Sequence, residues 1–257
     1  MIHHSWPELT AAFQTHVRQS LNAWVPPSNA NYDAALDFAL GRFDEGRQLA
    51  EFFAQRAKHG RVLDIGAGNG GASLGMANVQ AFDVVAIDIV PNRELRALRA
   101  ALDLPVSQLV GNGHHVPFAD ASFDIILCLD TIEHVPQPHL LGKEIMRILK
   151  PGGICMITTP PRLRYLLKRD PHFGIPALLA FPERFQRFIA TSLLRRTDHY
   201  DVEHIFWSVD EITTLFPGEK DVEVLWNYNW PGPINRRERR WYKWRYHLWD
   251  RILVTRK

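Results

Sequence analysis

The sequence predicts an α/β fold: a seven-stranded, mostly parallel sheet with helices on both faces, plus a helical or irregular lid insertion. Three observations carry this. Short β-rich runs alternate with amphipathic stretches through residues 61–159, the alternation breaks between 160 and 207, and two more strand-like runs follow at 222–228 and 251–256. Strands joined by helical crossovers lie parallel and are covered on both faces.

Residues 32–57 form a long amphipathic stretch, read as helices that cover a sheet edge. With the residues before them they make an N-terminal helical cap over 1–57. The core follows over 58–160, with strands expected at 61–65, 84–88, 106–111, 123–129 and 154–159. Helices expected at 72–78, 92–102 and 139–149 lie between them. Lys150-Pro151-Gly152-Gly153 closes the last one, because proline cannot continue a helix and glycine permits the turn. Pro160, Pro161, Pro171, Pro176 and Pro182 then cut the chain into short apolar and basic pieces. Residues 161–207 are read as a lid insertion at the carboxyl edge of the sheet, where open α/β folds bind ligands. Ser208, with Glu211 three residues on, reads as a helix N-cap that restarts the core over 208–257, with 212–216 as its apolar helical residues. The runs at 222–228 and 251–256 lack a regular crossover helix between them and are expected as an antiparallel edge pair.

With 257 residues, 46% of them hydrophobic, the chain can bury a sizeable core and suits one elaborated domain. The longest clean apolar run, 175–181, contains a proline and is far shorter than the roughly 20 residues of a membrane span. MIHHSWPELT at the start lacks the basic-then-apolar pattern of a secretory signal. Cys128 and Cys155 both lie in strand-like runs and read as reduced core residues. A cytoplasmic location is the expectation. The net charge of +2 hides an asymmetry: residues 1–160 carry 12 Lys and Arg against 16 Asp and Glu, and residues 161–257 carry 18 against 12. An acidic partner would therefore meet the second half.

The chemistry starts at residues 62–71, VLDIGAGNGG. Gly66, Gly68 and Gly71 match the dinucleotide pattern G-x-G-x-x-G, which brings a helix N-terminus close to a pyrophosphate. Asp64, two residues earlier, would repel that phosphate. It suits a cationic ligand instead, by organising the loop or attracting an ammonium group. Asp88 ends the second strand run and can accept both ribose hydroxyls of either adenosine cofactor. Downstream stand GNGHHVPFADASFD at 111–124, IILCLDTIEHV at 125–135 and LKPGG at 149–153. In this order the segments resemble the class I S-adenosylmethionine-dependent methyltransferases, of the type 11-like, small-molecule group. That family has (V/L)LD-x-G-x-G-x-G, then G-D-A-x-x-L-P-F-x-D-x-S-F-D, then L-K-P-G-G.

The resemblance implies a Rossmann-like core and S-adenosyl-L-methionine as cofactor. It places the cofactor contacts on Asp64, on Gly66, Ala67, Gly68, Asn69 and Gly70, on Asp88 and Ile89, on Asn112, Gly113 and His114, and on Leu129. Arg42 lies at the distance from the loop at which relatives reach the cofactor carboxylate, and Arg47 is its rival. One position departs: Asn112 stands where the family usually has the Asp that receives the adenine amino group. Its carbonyl oxygen can still accept, and its NH2 can donate to a ring nitrogen; otherwise Asn112 merely turns the chain after the third strand.

Methyl transfer works largely by alignment, so the acceptor leaves a weaker trace in the sequence than the cofactor. Asp130 and His134 follow the fourth strand, beside the transferable methyl in the family, and His134 could take a proton from a hydroxyl. Glu133 is read as loop architecture. Asp130, Glu133 and His134 also resemble the E-x-x-E-H of metal-dependent relatives, with His204 as a fourth ligand. A metal is thus open but is not the expectation. His172 and His204 could line an acceptor pocket from the lid. Residues 235–249, NRRERRWYKWRYHLW, mix Arg with Trp and suit sheet packing, contact with a membrane surface or lipid-linked substrate, or, least, nucleic acid. The expected activity is methyl transfer to a small-molecule acceptor, an oxygen of a sugar or other secondary metabolite. A lipid-linked or quinone-like acceptor, a non-catalytic S-adenosylmethionine-binding module and an NAD oxidoreductase are the alternatives. Oligomeric state has no signature here.

Overall fold

The computed structural model describes residues 6–22, 32–56, 60–79, 82–101, 103–162, 175, 177–178, 181–182, 185–186, 188–194, 203–225 and 251–257. Its strands are β1 (Gly60–Ile65), β2 (Phe82–Asp88), β3 (Val106–Val110), β4 (Phe123–Leu129), β5 (Leu149–Thr158), β6 (Lys220–Leu225) and β7 (Arg251–Arg256). They form one seven-stranded sheet in the order β3-β2-β1-β4-β5-β7-β6. The chain divides into two compact units, residues 1–127 and 128–257.

In the first unit β1 pairs with β2, and β2 with β3, in parallel; Val62 lies opposite Val84 and Ala86 opposite Gln108. Four helices accompany them: α1 (Trp6–Asn22), α2 (Tyr32–Ala54), α3 (Gly71–Ala77) and α4 (Arg93–Ala101). Leu36, Ala39, Phe43, Gly46, Ala50 and Phe53 recur every three or four residues along α2 and make its buried face. Every residue of α3 is buried. The two helices meet backbone to backbone: a Cβ on Gly46 would lie 2.2 Å from the Ala72 carbonyl oxygen, and one on Gly75 would lie 2.1 Å from that of Phe43. Phe13 of α1 stacks on Phe43 with ring centroids 4.7 Å apart, an arrangement worth about 1 kcal/mol beyond area burial.

In the second unit α5 (Pro138–Ile148) starts with proline in its first turn, where the missing N–H costs nothing. It ends at Ile148, and β5 begins at Leu149, five residues before the expected start. β7 pairs antiparallel with both β5 and β6; Met156 faces Leu253, and Val222 faces Val254. The expected antiparallel pair is present, with β6 on the edge and β7 inside it. Ser208 caps α6 (Val209–Thr214), its hydroxyl accepting from the Glu211 N–H at 3.3 Å. Among the described residues of 161–207, Ile175 and Leu178 are buried with Ile189 against them, and residues Phe188–Leu193 form one π-helical turn.

Candidate cofactor and active site

β1 ends with Ile65 opposite Ile87, so the loop that follows begins against the carboxyl end of β2. The Gly66 and Ala67 N–H groups donate to the Ile87 carbonyl at 2.9 and 3.2 Å. Gly68 N–H donates to Asp88 Oδ2 at 2.8 Å, and Asn92 Nδ2 donates to the Gly68 carbonyl at 3.0 Å. Gly66, Gly68 and Gly70 have φ of 74°, 53° and 79°, left-handed values that a Cβ disfavours. The backbone therefore requires G-x-G-x-G. Gly71, the last glycine of the dinucleotide pattern, serves close approach: a Cβ there would lie 2.8 Å from Arg42 Cβ and 2.9 Å from the Phe13 ring.

A pyrophosphate at this position needs N–H groups from the start of the helix. Here Gly70 N–H donates to the Ala67 carbonyl at 2.8 Å, and Gly71 N–H to Asn69 Oδ1 at 3.1 Å. Both are used within the loop. By contrast, a Cβ on Gly68 would meet nothing within 4 Å. The loop thus has one face of bare backbone, and the Asp88 carboxylate is attached to it.

Behind the loop, Asp64 is 2% exposed and accepts from Ser73 Oγ at 2.6 Å. Burial pushes its carboxyl up to about 6, against the opposing pull of the Ser73 hydroxyl and the Arg42 charge; Asp88 and Glu45 push it further up. Arg42 pairs with Glu45 and lies over the Phe38 ring, whereas Arg47 pairs with Glu51 on a more exposed part of α2. The Arg42 charge reaches Asp64, which favours it over its rival as the cation behind the loop.

Asp88 Oδ1 accepts from the Val90 N–H at 2.9 Å, so each carboxylate oxygen carries one backbone donor. Ile89 is 72% exposed. After β3, Asn112 Oδ1 accepts from the His114 N–H at 2.9 Å, and its carbonyl from the His115 N–H at 3.1 Å. Asn112 does turn the chain, and the Asn112-Gly113-His114 backbone is wound around its side chain.

In the second unit, Leu129 ends β4 and Asp130 follows at φ 47°, left-handed for a residue with a Cβ. Such a conformation persists only where its surroundings hold it. The Asp130 N–H donates to both the carbonyl and the Oγ1 of Thr158, at 3.0 and 2.9 Å. Glu133 and His134 sit on a 3-10 turn, Ile132–His134, with Glu133 1% exposed. The Glu133 carbonyl accepts from the Glu203 and His204 N–H groups at 2.8 and 3.0 Å. His204 Nε2 lies 3.3 Å from the Pro136 carbonyl, so the backbone brings His204 to the turn while its ring takes a peptide partner. Among the described residues no group of three or more His, Cys, Asp or Glu is arranged to hold a metal. His172 and the segment 235–249 lie outside the described residues.

Comparison with known proteins bears on this geometry. The methyltransferase domain family matches residues 63–157, which contain the loop, Asp88, Asn112 and the turn after β4. Residues 63–157 are a methyltransferase domain. The 2-methyl-6-phytyl-1,4-hydroquinone methyltransferase of Synechocystis is 34% identical over 141 residues, 49% of this chain and 44% of that one. The 27-O-demethylrifamycin SV methyltransferase of Amycolatopsis mediterranei is 34% identical over 124 residues, 47% of this chain and 44% of that one. The chain thus spans about half the length of these curated relatives. The crystal structure of the YcgJ protein of Bacillus subtilis shares the fold, with a TM-score of 0.53 at 18% identity over 83% of this chain and 99% of that one.

Within the methyltransferase domain, the structure joins Gly66, Gly68 and Asp88 directly, and Asp64 to α3 through Ser73. Three side chains that brace Gly68, Asp130 and Asn69 were not found from the sequence. Asn92 caps α4 by accepting from the Leu95 N–H at 2.7 Å while it also braces Gly68. Thr158 holds Asp130, and His16 of α1 reaches the Asn69 carbonyl at 3.1 Å. Only an Asn ahead of a helical run, an N-cap pattern, could have marked the first; the others carry no local signal.

Proposed function

We propose that this domain binds S-adenosylmethionine on the open face of the Gly66–Gly70 loop, and that the protein transfers the methyl group to a small-molecule acceptor, an oxygen of a sugar or other secondary metabolite. The observation that carries the reading is the loop itself. Its left-handed glycines expose backbone, its Gly70 and Gly71 N–H groups are already used, and a buried carboxyl lies behind it. This suits an adenosine bearing a cation and no pyrophosphate. S-adenosylmethionine supplies a methyl on a sulfonium, open to in-line attack. Asp88 keeps a lone pair on each oxygen for the ribose hydroxyls. The Oδ1 of Asn112, which takes one N–H from His114, keeps a second lone pair for the adenine amino group, and its NH2 can donate to a ring nitrogen. His134 takes the proton that leaves an acceptor hydroxyl. Arg42, Ile89, Gly113 and Leu129 complete the cofactor contacts, and Asp130, His172 and His204 belong to the acceptor side.

A quinone-like or lipid-linked acceptor is the second reading. It is supported by the Synechocystis relative, named for a phytyl hydroquinone. Exposed apolar residues of the insertion, Phe185 at 46%, Phe188 at 58% and Leu193 at 67%, agree with it. Residues 235–249 would add contact with the membrane surface. Among the described residues no helix is long and apolar enough to cross a membrane, and a cytoplasmic location is part of this reading.

Calorimetric titration with S-adenosylhomocysteine and, separately, NADH tests the cofactor. The expected result is binding of the first alone, weakened at least about tenfold by Asp88→Ala through loss of charge-assisted hydrogen bonds. Binding of NADH alone would overturn it. A panel of hydroxylated acceptors and prenylated quinols, assayed with and without chelator, then separates the acceptor classes and the metal alternative.

A further inference from the structure

The loop is braced mainly from the end of β2 and the residues just after it. Ile87 takes the Gly66 and Ala67 N–H groups, Asp88 takes that of Gly68, and Asn92 holds the Gly68 carbonyl. These braces come from within about 25 residues and belong to the strand-turn-helix core. The Asn69 carbonyl is held differently. His16 Nε2 lies 3.1 Å from it, 53 residues earlier in the chain. A carbonyl only accepts, so Nε2 carries the hydrogen.

The peptide between Asn69 and Gly70 is consequently pinned at both ends. Its N–H donates to the Ala67 carbonyl and its oxygen accepts from His16. Gly70, at φ 79°, sits on this peptide and carries the chain into α3. Rotating the peptide would break both bonds and turn the loop that would carry the ligand. His16 is itself 4% exposed. Its helix is seated by Phe13, which is 1% exposed, stacks on Phe43, and lies against Gly71.

We propose that α1 is part of the cofactor site and that His16 is a positioning residue: it fixes the Asn69–Gly70 peptide and thereby couples the docking of α1 to occupancy of the loop. The inference rests on the cofactor reading above. Linkage makes the coupling reciprocal: if a docked α1 favours the bound loop, a bound loop favours docked α1. Phe13 supplies an apolar seat and His16 a polar tether to Asn69, so the tether can be removed without removing the seat.

The test uses the full chain and S-adenosylhomocysteine as the probe. His16→Ala is expected to weaken binding about tenfold, as for loss of one buried hydrogen bond. His16→Gln, whose amide NH2 can donate to the same carbonyl, is expected to restore most of it. Hydrogen exchange of the α1 amides is expected to slow on adding the probe to the wild type, and much less in His16→Ala. A purely structural histidine would lower the thermal midpoint of the unliganded protein without that ligand-dependent difference in α1. Binding that is equal in wild type and His16→Ala, or α1 exchange that ignores the probe, overturns the inference and leaves the cofactor reading standing. A wild type that does not bind S-adenosylhomocysteine overturns both.

Discussion

Asp64→Asn is expected to stabilise the unliganded protein while weakening its ligand binding. Asp64 is 2% exposed, and burial pushes its carboxyl up to about 6 although Ser73 donates to it and Arg42 stands near. The folded-state value lies above the unfolded one, so between about pH 4 and 6 the native state holds a proton that the unfolded chain has lost. Stability from this group is complete below that window, falls as pH rises through it, and stays low above. A rise of about two pH units corresponds to about 3 kcal/mol. Asparagine keeps the shape and an acceptor for the Ser73 hydroxyl and has no charge to bury. Urea unfolding without ligand should therefore show Asp64→Asn more stable by about 3 kcal/mol near pH 8, and by almost nothing near pH 4. S-adenosylhomocysteine titration of the same variant should show weaker binding, because the negative charge behind the loop that would attract the ligand's ammonium group is gone. Equal or lower stability near pH 8, or a gain that does not change with pH, would refute the electrostatic argument.

Gly75→Ala should destabilise the fold by about 3 kcal/mol. Its Cβ would lie 2.1 Å from the Phe43 carbonyl oxygen, and both sides of that contact are backbone. Gly41→Ala, in the same helix pair with nothing within 4 Å of a Cβ, should instead add about 0.5–1 kcal/mol through helix propensity; denaturant midpoints compare the two. His134→Ala should lower turnover by about a hundredfold with S-adenosylhomocysteine binding unchanged. Full activity in that variant would remove His134 as the base.

The carboxyl end of β2 was legible from the sequence because a buried parallel strand is a continuous apolar run that stops where the chain meets the ligand. Asp88 closes such a run, and the glycine loop precedes it at the spacing of one helix and one turn. Ser208 with Glu211 was legible for a similar reason, as capping is a contact between residues three apart. The pairing of Asp130 with Thr158 spans 28 residues and has no such trace. Nor does the crossing of α2 and α3, where Gly46 and Gly75 look alike in sequence to the unobstructed Gly41.

By itself the sequence determined the alternation that makes the sheet, the open G-x-G-x-G loop, the acidic residue beyond it and the antiparallel return of β6 and β7. Each of these follows from local periodicity, or from backbone angles that only certain residues adopt. Only the tertiary structure decided that Gly70 and Gly71 spend their N–H groups inside the loop, that Arg42 rather than Arg47 reaches Asp64, and that His16 holds Asn69. These depend on which surfaces meet when helices pack, and a hydrogen bond across 53 residues leaves no pattern in the order of the amino acids.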